Sequence, residues 1–370
     1  LAAKSGLGAV NGLVWRDGAA VRSNPPRFLL PDLNTLPLPA RHLEPWAAYN
    51  FTIDVPGKGK LPAANLMTSR GCPFTCTFCA TPSNWGRKVR GLTAENVVAE
   101  IEHVMDRYGA KAIWFFDDTF NYSRSRTERI CDLIIERRLD ISWYCEVRVD
   151  ILTKPLLAKM RDSGLIYTGF GIESGSERIC REIITKNATL KEATDVIDWC
   201  NELGVTPNPF FIFSHPTETW EEAQETIRVL ESVRDRADVS AAILHIYPGI
   251  PLEERARAEG KMPADFSWSV KHDPRVILLP AAQGHAPLYV DKLTWRQISE
   301  LMFRFAFAHK KISLWRKIPG IVRSIRSLGD VKRYAIMLVV YLRHRLARAG
   351  GRVPSDRRSG TPHLSKKVPA

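Results

Sequence analysis

Three cysteines stand within eight residues of one another, in the run Ser69-Arg70-Gly71-Cys72-Pro73-Phe74-Thr75-Cys76-Thr77-Phe78-Cys79. Gaps of three and two residues let one loop present three thiolates to one inorganic centre. A structural zinc site or an ordinary ferredoxin cluster takes four protein ligands. A compact loop with three cysteines and no fourth nearby therefore points to a cluster with one iron left open for a substrate or cofactor. A zinc knuckle with a distant ligand and a pair of disulfides are the competing readings. The total of seven cysteines, an odd number in 370 residues, argues against a secreted disulfide framework. Cys131, Cys145, Cys180 and Cys200 fall singly in periodic apolar segments and read as small core residues.

The elements needed to hold such a loop are legible downstream. Short apolar runs at Ala64–Thr68, Ala112–Phe116, Ile141–Val147, Ile166–Ile172, Thr206–Phe213 and Ser240–Ile246 alternate with helical patterns. Those helices fall near 94–107, 124–138, 154–162, 176–183, 190–203 and 219–235. Such alternation predicts βα units on a parallel sheet. Six units suit an α/β fold of the (βα)6 partial-barrel type, since a full eight-unit barrel needs about 250 residues. Three regions are expected: an extended Pro- and turn-rich connector over 1–60, the barrel over 61–260, and a basic helical region over 261–370.

In a parallel barrel the ligand meets the C-terminal strand ends. After the second strand comes Phe115-Phe116-Asp117-Asp118-Thr119-Phe120, where the two acids either serve a ligand or cap the next helix. Glu146, Arg148 and Asp150 alternate after the third strand, as an ion-pair ladder or as part of a site. Gly169-Phe170-Gly171-Ile172-Glu173-Ser174-Gly175-Ser176 places a carboxylate between glycines that admit a ligand close to the backbone. The fifth strand ends in Ser214-His215-Pro216-Thr217-Glu218-Thr219, with His215 as an acid–base or turn residue and Glu218-Thr219 as part of a site or as the cap of the next helix. The sixth leads to His245-Ile246-Tyr247-Pro248-Gly249-Ile250-Pro251-Leu252.

Together these segments resemble the radical S-adenosylmethionine enzymes, over about residues 60 to 260, with six motifs in order at the strand ends. The resemblance implies a 4Fe-4S cluster held by Cys72, Cys76 and Cys79. It implies S-adenosylmethionine chelated to the open iron and bordered by Phe78, Asp117, Asp118, Glu173, Ser174 and Tyr247. Asp117-Asp118 stands where many members carry Gly-Gly-Glu, and no residue is assigned a catalytic role. The forms Gly-Ile-Glu-Ser-Gly-Ser and Tyr-Pro-Gly-x-Pro-Leu are similar to the branch with an N-terminal cobalamin-binding domain. Asn11–Gly18 and Pro31–Pro37 resemble the segment that follows such a domain. No Asp-x-His-x-x-Gly cobalamin motif is present, so cobalamin is expected only through a missing domain, and a Leu at position 1 fits a piece of a longer protein.

The implied reaction is cleavage of S-adenosylmethionine to a 5′-deoxyadenosyl radical that abstracts hydrogen, for C-methylation or cyclisation of a small-molecule or lipid-like substrate. An electron donor such as flavodoxin or ferredoxin is implied as partner. Rival readings are a tRNA-modifying radical enzyme, which usually has further cysteines, and a non-catalytic zinc and nucleic-acid-binding protein.

Charge divides the chain unevenly. Residues 301–370 hold 17 Lys or Arg against Asp330 and Asp356, whereas the preceding 300 residues hold 36 basic and 38 acidic side chains. The basic, partly apolar tail predicts either peripheral contact with a membrane surface or a solvated cover on the barrel. Its longest uncharged apolar run, Tyr334 to Leu342, is nine residues, too short to span a bilayer. The expected location is cytoplasmic, with nucleic acid disfavoured as a partner.

Overall fold

The computed structural model describes residues 6–49, 51–262, 266–268 and 288–308. Its centre is a seven-stranded sheet in the order β11-β10-β9-β8-β7-β4-β3. The strands are β3 (Thr52–Val55), β4 (Gly59–Leu66), β7 (Ala112–Phe115), β8 (Ser142–Glu146), β9 (Leu165–Glu173), β10 (Thr206–Phe213) and β11 (Ser240–Ile243). Two short hairpins accompany it: β1 (Val14–Asp17) with β2 (Ala20–Ser23), and β5 (Ser69–Arg70) with β6 (Arg90–Gly91). From β4 to β11 every pairing is parallel, with Leu66 opposite Phe115 and Glu146 opposite Gly169. The edge strands β3 and β11 do not pair with each other, so the sheet is a half-barrel, the (βα)6 partial barrel expected from the sequence.

The six expected strands and the helices between them are present with ends displaced by a few residues. Helix Ala94–Tyr108 shows why the pattern is legible. Val97, Val98, Ile101 and Val104 form one buried stripe, Thr93 accepts from the Asn96 N–H at the start, and Gly109 takes φ 65° at the end. Helices Leu190–Leu203 and Trp220–Val233 each begin with a capping box, Thr189 with Glu192 and Thr219 with Glu222. These helices cover one sheet face, where Ile113, Phe115, Trp143, Cys145, Phe170 and Phe211 join the main core.

Three features differ from the sequence reading. Residues before the expected barrel start at 61 are not all connector, because β3 pairs antiparallel to β4 across the Val55–Gly59 turn and extends the sheet. The helix expected over 176–183 is a π-helical turn, Ile179–Ile184, closed by Thr185 at φ 61°. Wider turns of this kind recur at functional sites. Of the helical region expected over 294–349, Trp295–Ala308 is a helix packed by Ile298, Leu301 and Met302, and the rest of the call lies outside the described residues. Among the described residues no helix is long and apolar enough to cross a membrane.

Candidate active site

The cysteine loop is an excursion between β5 and β6. Gly71 enters it at φ 99°, and a Cβ there would lie 2.6 Å from the Lys88 carbonyl oxygen. Only glycine combines that backbone with that approach. The Cys72 N–H donates to Gly86 O at 3.3 Å and the Cys79 N–H to Cys76 O at 3.2 Å. Distant residues then clamp the loop. Thr77 donates through its N–H to Ile184 O (3.1 Å) and through Oγ1 to Ile183 O (2.8 Å), while Thr185 Oγ1 donates to Thr75 O (2.7 Å). The π-helical turn is thus the seat of the loop.

Cys72, Cys76 and Cys79 line one cleft of about 440 Å³ at the C-terminal strand ends. Phe78, Asp118, Thr119, Glu146, Arg148, Glu173 and Lys186 line it too. All three cysteines are half-buried, in contrast to the buried Cys131, Cys145, Cys180 and Cys200. Burial pushes the Cys76 thiol up, and the Lys186 charge acts in the opposite sense. Lys186 is itself buried. Its Nζ lies 2.8 Å from Glu173 Oε1 and 2.6 Å from the Gly171 oxygen. Gly171 makes room for this pair, since a Cβ there would fall 1.8 Å from Glu173 Oε1. Glu173 adopts φ 68°, a conformation that turns the end of β9 toward the cleft.

Of the paired acids, Asp118 faces the cleft and accepts from Thr81 Oγ1 at 2.7 Å. Asp117 points the other way. It is 2% exposed, accepts from the Thr68 N–H (3.2 Å), Thr68 Oγ1 (2.9 Å) and Ser69 Oγ, and braces the strand that leads to the cysteines. Burial raises its pKa. Ser174 is also turned away, bonded to Thr226 Oγ1 at 3.1 Å and to the Ser176 N–H. Tyr247 is half-exposed beside His245 and does not line the cleft. Phe78 does, with its ring edge-on to His215 at 6.2 Å.

The Glu146, Arg148, Asp150 ladder divides in two. Arg148 forms a two-pronged pair with Asp150 (2.9 and 2.7 Å) and lies 3.4 Å over the Phe74 ring centroid. The Glu146 carboxylate accepts no hydrogen bond among the described residues, and burial followed by the Asp118 and Glu173 charges lifts its pKa to about 7. His215 is fully enclosed, with its pKa pushed down to about 3 by burial, and it stands off the cleft. Glu218 does not cap the helix after it. Its Oε2 accepts the Ser214 and His215 N–H groups at 2.6 and 3.1 Å, and it holds a turn in which Ser214 and Thr217 take positive φ.

Lys186 escaped the sequence reading. Its only signal was a basic residue two positions after the apolar Ile183-Ile184 pair, which gives no hint of a partner thirteen residues earlier.

Whether the loop suits a cluster rests on its donors. Three soft thiols on one clamped loop, beside the cations Arg148 and Lys186, match the ligand chemistry of iron–sulfur centres. Among the described residues no three His, Cys, Asp or Glu side chains stand close enough to share one metal ion, so here the thiols share a cleft without meeting at a point. The donor set fits a 4Fe-4S cluster with one iron free of protein.

Residues 66–230 match the family described as the Radical SAM superfamily. This segment is a radical SAM domain. It begins at the last residue of β4 and ends in the helix after β10, so all three cysteines and most of the cleft fall within the radical SAM match. The chain is 34% identical over 252 residues to a Pyrococcus horikoshii protein named as an uncharacterized methyltransferase, which covers 68% of this chain and 53% of that protein. It is 28% identical over 224 residues to the anaerobic magnesium-protoporphyrin IX monomethyl ester cyclase of Rubrivivax gelatinosus, at 60% of this chain and 39% of that protein. The chain therefore spans about half or less of these relatives' lengths. The fold is also that of the cobalamin-dependent S-adenosylmethionine radical enzyme OxsB, solved with aqua-cobalamin and S-adenosylmethionine bound. That match has a TM-score of 0.64 at 16% identity and covers 90% of this chain and 52% of the other.

Proposed function

We propose that this chain is the catalytic core of a radical S-adenosylmethionine enzyme that abstracts hydrogen from a small-molecule substrate for C-methylation or cyclisation. The observation that carries the reading is the meeting of three loop cysteines with Arg148, Glu173 and Lys186 in one cleft at the parallel strand ends. When bound, a 4Fe-4S cluster and S-adenosylmethionine would supply an electron and a sulfonium that together yield methionine and a 5′-deoxyadenosyl radical. Cys72, Cys76 and Cys79 hold the iron. Arg148 and Lys186 offset the charge of the thiolates and favour an anionic group such as a methionine carboxylate. Phe78 offers an apolar edge, and Asp118 and Glu173 offer acceptors for amino or hydroxyl groups. The apolar side chains of Phe74, Phe78 and Ile212 on its wall keep water from the reacting atoms.

In the same reading residues 1 to about 50 join the barrel to an N-terminal cobalamin-binding domain, the radical core runs from β3 to about residue 260, and a basic C-terminal region follows. The names of the two relatives, a methyltransferase and a cyclase, support both outcomes. A flavodoxin- or ferredoxin-type donor supplies the electron. We place the protein in the cytoplasm, with the basic tail at a membrane surface. Liposome flotation of the whole chain on anionic vesicles tests that contact, and flotation unchanged by high salt or absent altogether removes it.

The decisive experiment is anaerobic cluster reconstitution followed by iron and sulfide analysis and detection of 5′-deoxyadenosine after dithionite and S-adenosylmethionine are added. About four irons per chain and release of 5′-deoxyadenosine are expected, and both should be lost in Cys76→Ala. Bound zinc, or a cluster that never cleaves S-adenosylmethionine, refutes the reading.

A further inference from the structure

Side chains alternate across a strand, so the residues between those of the main core face the lumen of the half-barrel. In most parallel barrels that lumen is filled by Val, Ile and Leu. Here Trp114 on β7, Tyr144 on β8, Tyr167 on β9 and Phe210 on β10 line an open cavity of about 770 Å³. Trp114 and Tyr144 meet edge to face with centroids 4.6 Å apart, and Tyr144 and Tyr167 stand 5.0 Å apart. The rings form a continuous wall. Gly169 leaves space for it, since a Cβ there would come within 2.6 Å of both the Phe210 ring and the Tyr144 hydroxyl. That hydroxyl has no hydrogen-bond partner among the described residues.

The charged lining of this cavity differs from that of the cysteine cleft, which carries both signs. Asp54 at its exposed edge and Glu146 at its upper end line it, and among the described residues no Lys or Arg does. Glu146 and Phe210 also line the cysteine cleft, so the two spaces adjoin there. Arg148 and Lys186 stand on the cleft side of that join. Aromatic faces with carboxylates and without cations attract an organic cation, and a volume of this size is within the range of small-molecule sites.

We propose that the lumen cavity is a binding site for an organic cation: an apolar body carrying an amine or ammonium group, held by the four rings and by Glu146. Its assignment to substrate, and not to cofactor, rests on the function proposed above. The cation would lie below the join with its reactive end directed past Glu146 toward the cysteine cleft.

The test uses the full chain, both untreated and cluster-reconstituted, with 1-naphthylmethylamine as probe and 1-naphthoate as its anionic counterpart, followed by ligand-observed NMR and calorimetry. The amine should bind about tenfold more tightly than the acid. Ile53→Trp and Ile166→Trp, which fill the cavity from different walls, should each weaken the amine about tenfold, and Glu146→Gln should narrow the preference over the acid. Circular dichroism identifies a variant that fails to fold, and the other then decides. Equal binding of the two probes, no binding of the amine, or amine binding unchanged in a folded filling variant overturns the proposal. Displacement of the amine by S-adenosylmethionine also overturns it, because the cavity would then belong to the cofactor. Loss of cluster and 5′-deoxyadenosine with amine binding retained refutes the proposed reaction alone.

Discussion

The Glu173–Lys186 pair gives the sharpest quantitative test of how the cleft is held. Both side chains are only 9% exposed, and the ammonium also bonds the Gly171 oxygen. Lys186→Met removes the cation and leaves Glu173 buried with no other hydrogen-bond donor. Breaking a buried pair from one side typically costs about 3–5 kcal/mol, mostly as the penalty of an uncompensated charge. Lys186 is mostly enclosed, not wholly so, and some water reaches it, which places the expectation at about 3 kcal/mol. The assay is urea unfolding of the untreated chain, so that metal binding does not enter. The double variant Glu173→Leu with Lys186→Met removes both charges and should recover most of the loss, for a coupling of about 2 kcal/mol or more. Were Lys186→Met to cost under about 1 kcal/mol, or the two substitutions to add independently, the pair would not be what shapes this end of β9.

Other outcomes follow from the same contacts. Burial lifts the Glu218 pKa to about 8 from an ordinary value near 4.5. The folded chain therefore binds a proton there that the unfolded chain releases, and stability falls as pH rises from about 4.5 to about 8; Glu218→Gln should flatten that part of the urea midpoint profile. Gly71→Ala places a Cβ 2.6 Å from Lys88 O at a positive φ and should reduce iron uptake severalfold while far-ultraviolet dichroism is kept. Iodoacetamide at pH 8 should label Cys72 and Cys79 in the native untreated chain and spare Cys131, Cys145, Cys180 and Cys200, whose burial raises their pKa. Peptide mass spectrometry reads the order, and early labelling of Cys145 would contradict the packing.

The parts of this molecule visible in the sequence are those governed by local rules. Apolar runs separated by amphipathic stretches gave the six parallel strands, and Glu218-Thr219 marked a helix start at which Thr219 is the capping residue. The cysteine spacing named its own chemistry. What stayed hidden depends on partners far along the chain or on the direction of one side chain. Asp117 and Asp118 are adjacent and alike, yet one is sealed against Thr68 and Ser69 and the other faces the cleft. Nothing local distinguishes them. Thr52–Val55 followed a Pro-rich stretch and read as connector, because its pairing with β4 lies across the Pro56-Gly57 turn. The aromatic lumen was hidden because Trp114, Tyr144 and Phe210 alternate with true core residues and look like ordinary strand composition.

The threonine bonds between the cysteine loop and residues 183–185 span 106 to 110 positions of sequence. Closing contacts of that separation is a late event in folding, since the intervening chain must first be ordered. Three strands of the seven-stranded sheet, β7, β8 and β9, lie wholly within that interval and follow the loop in turn. The loop therefore reaches its final shape only after β9 and the π-helical turn have docked. Metal capture, on this order of events, is a checkpoint on a nearly finished half-barrel: a nascent or damaged chain whose β9 end has not seated would present its cysteines without the frame that selects for a cluster.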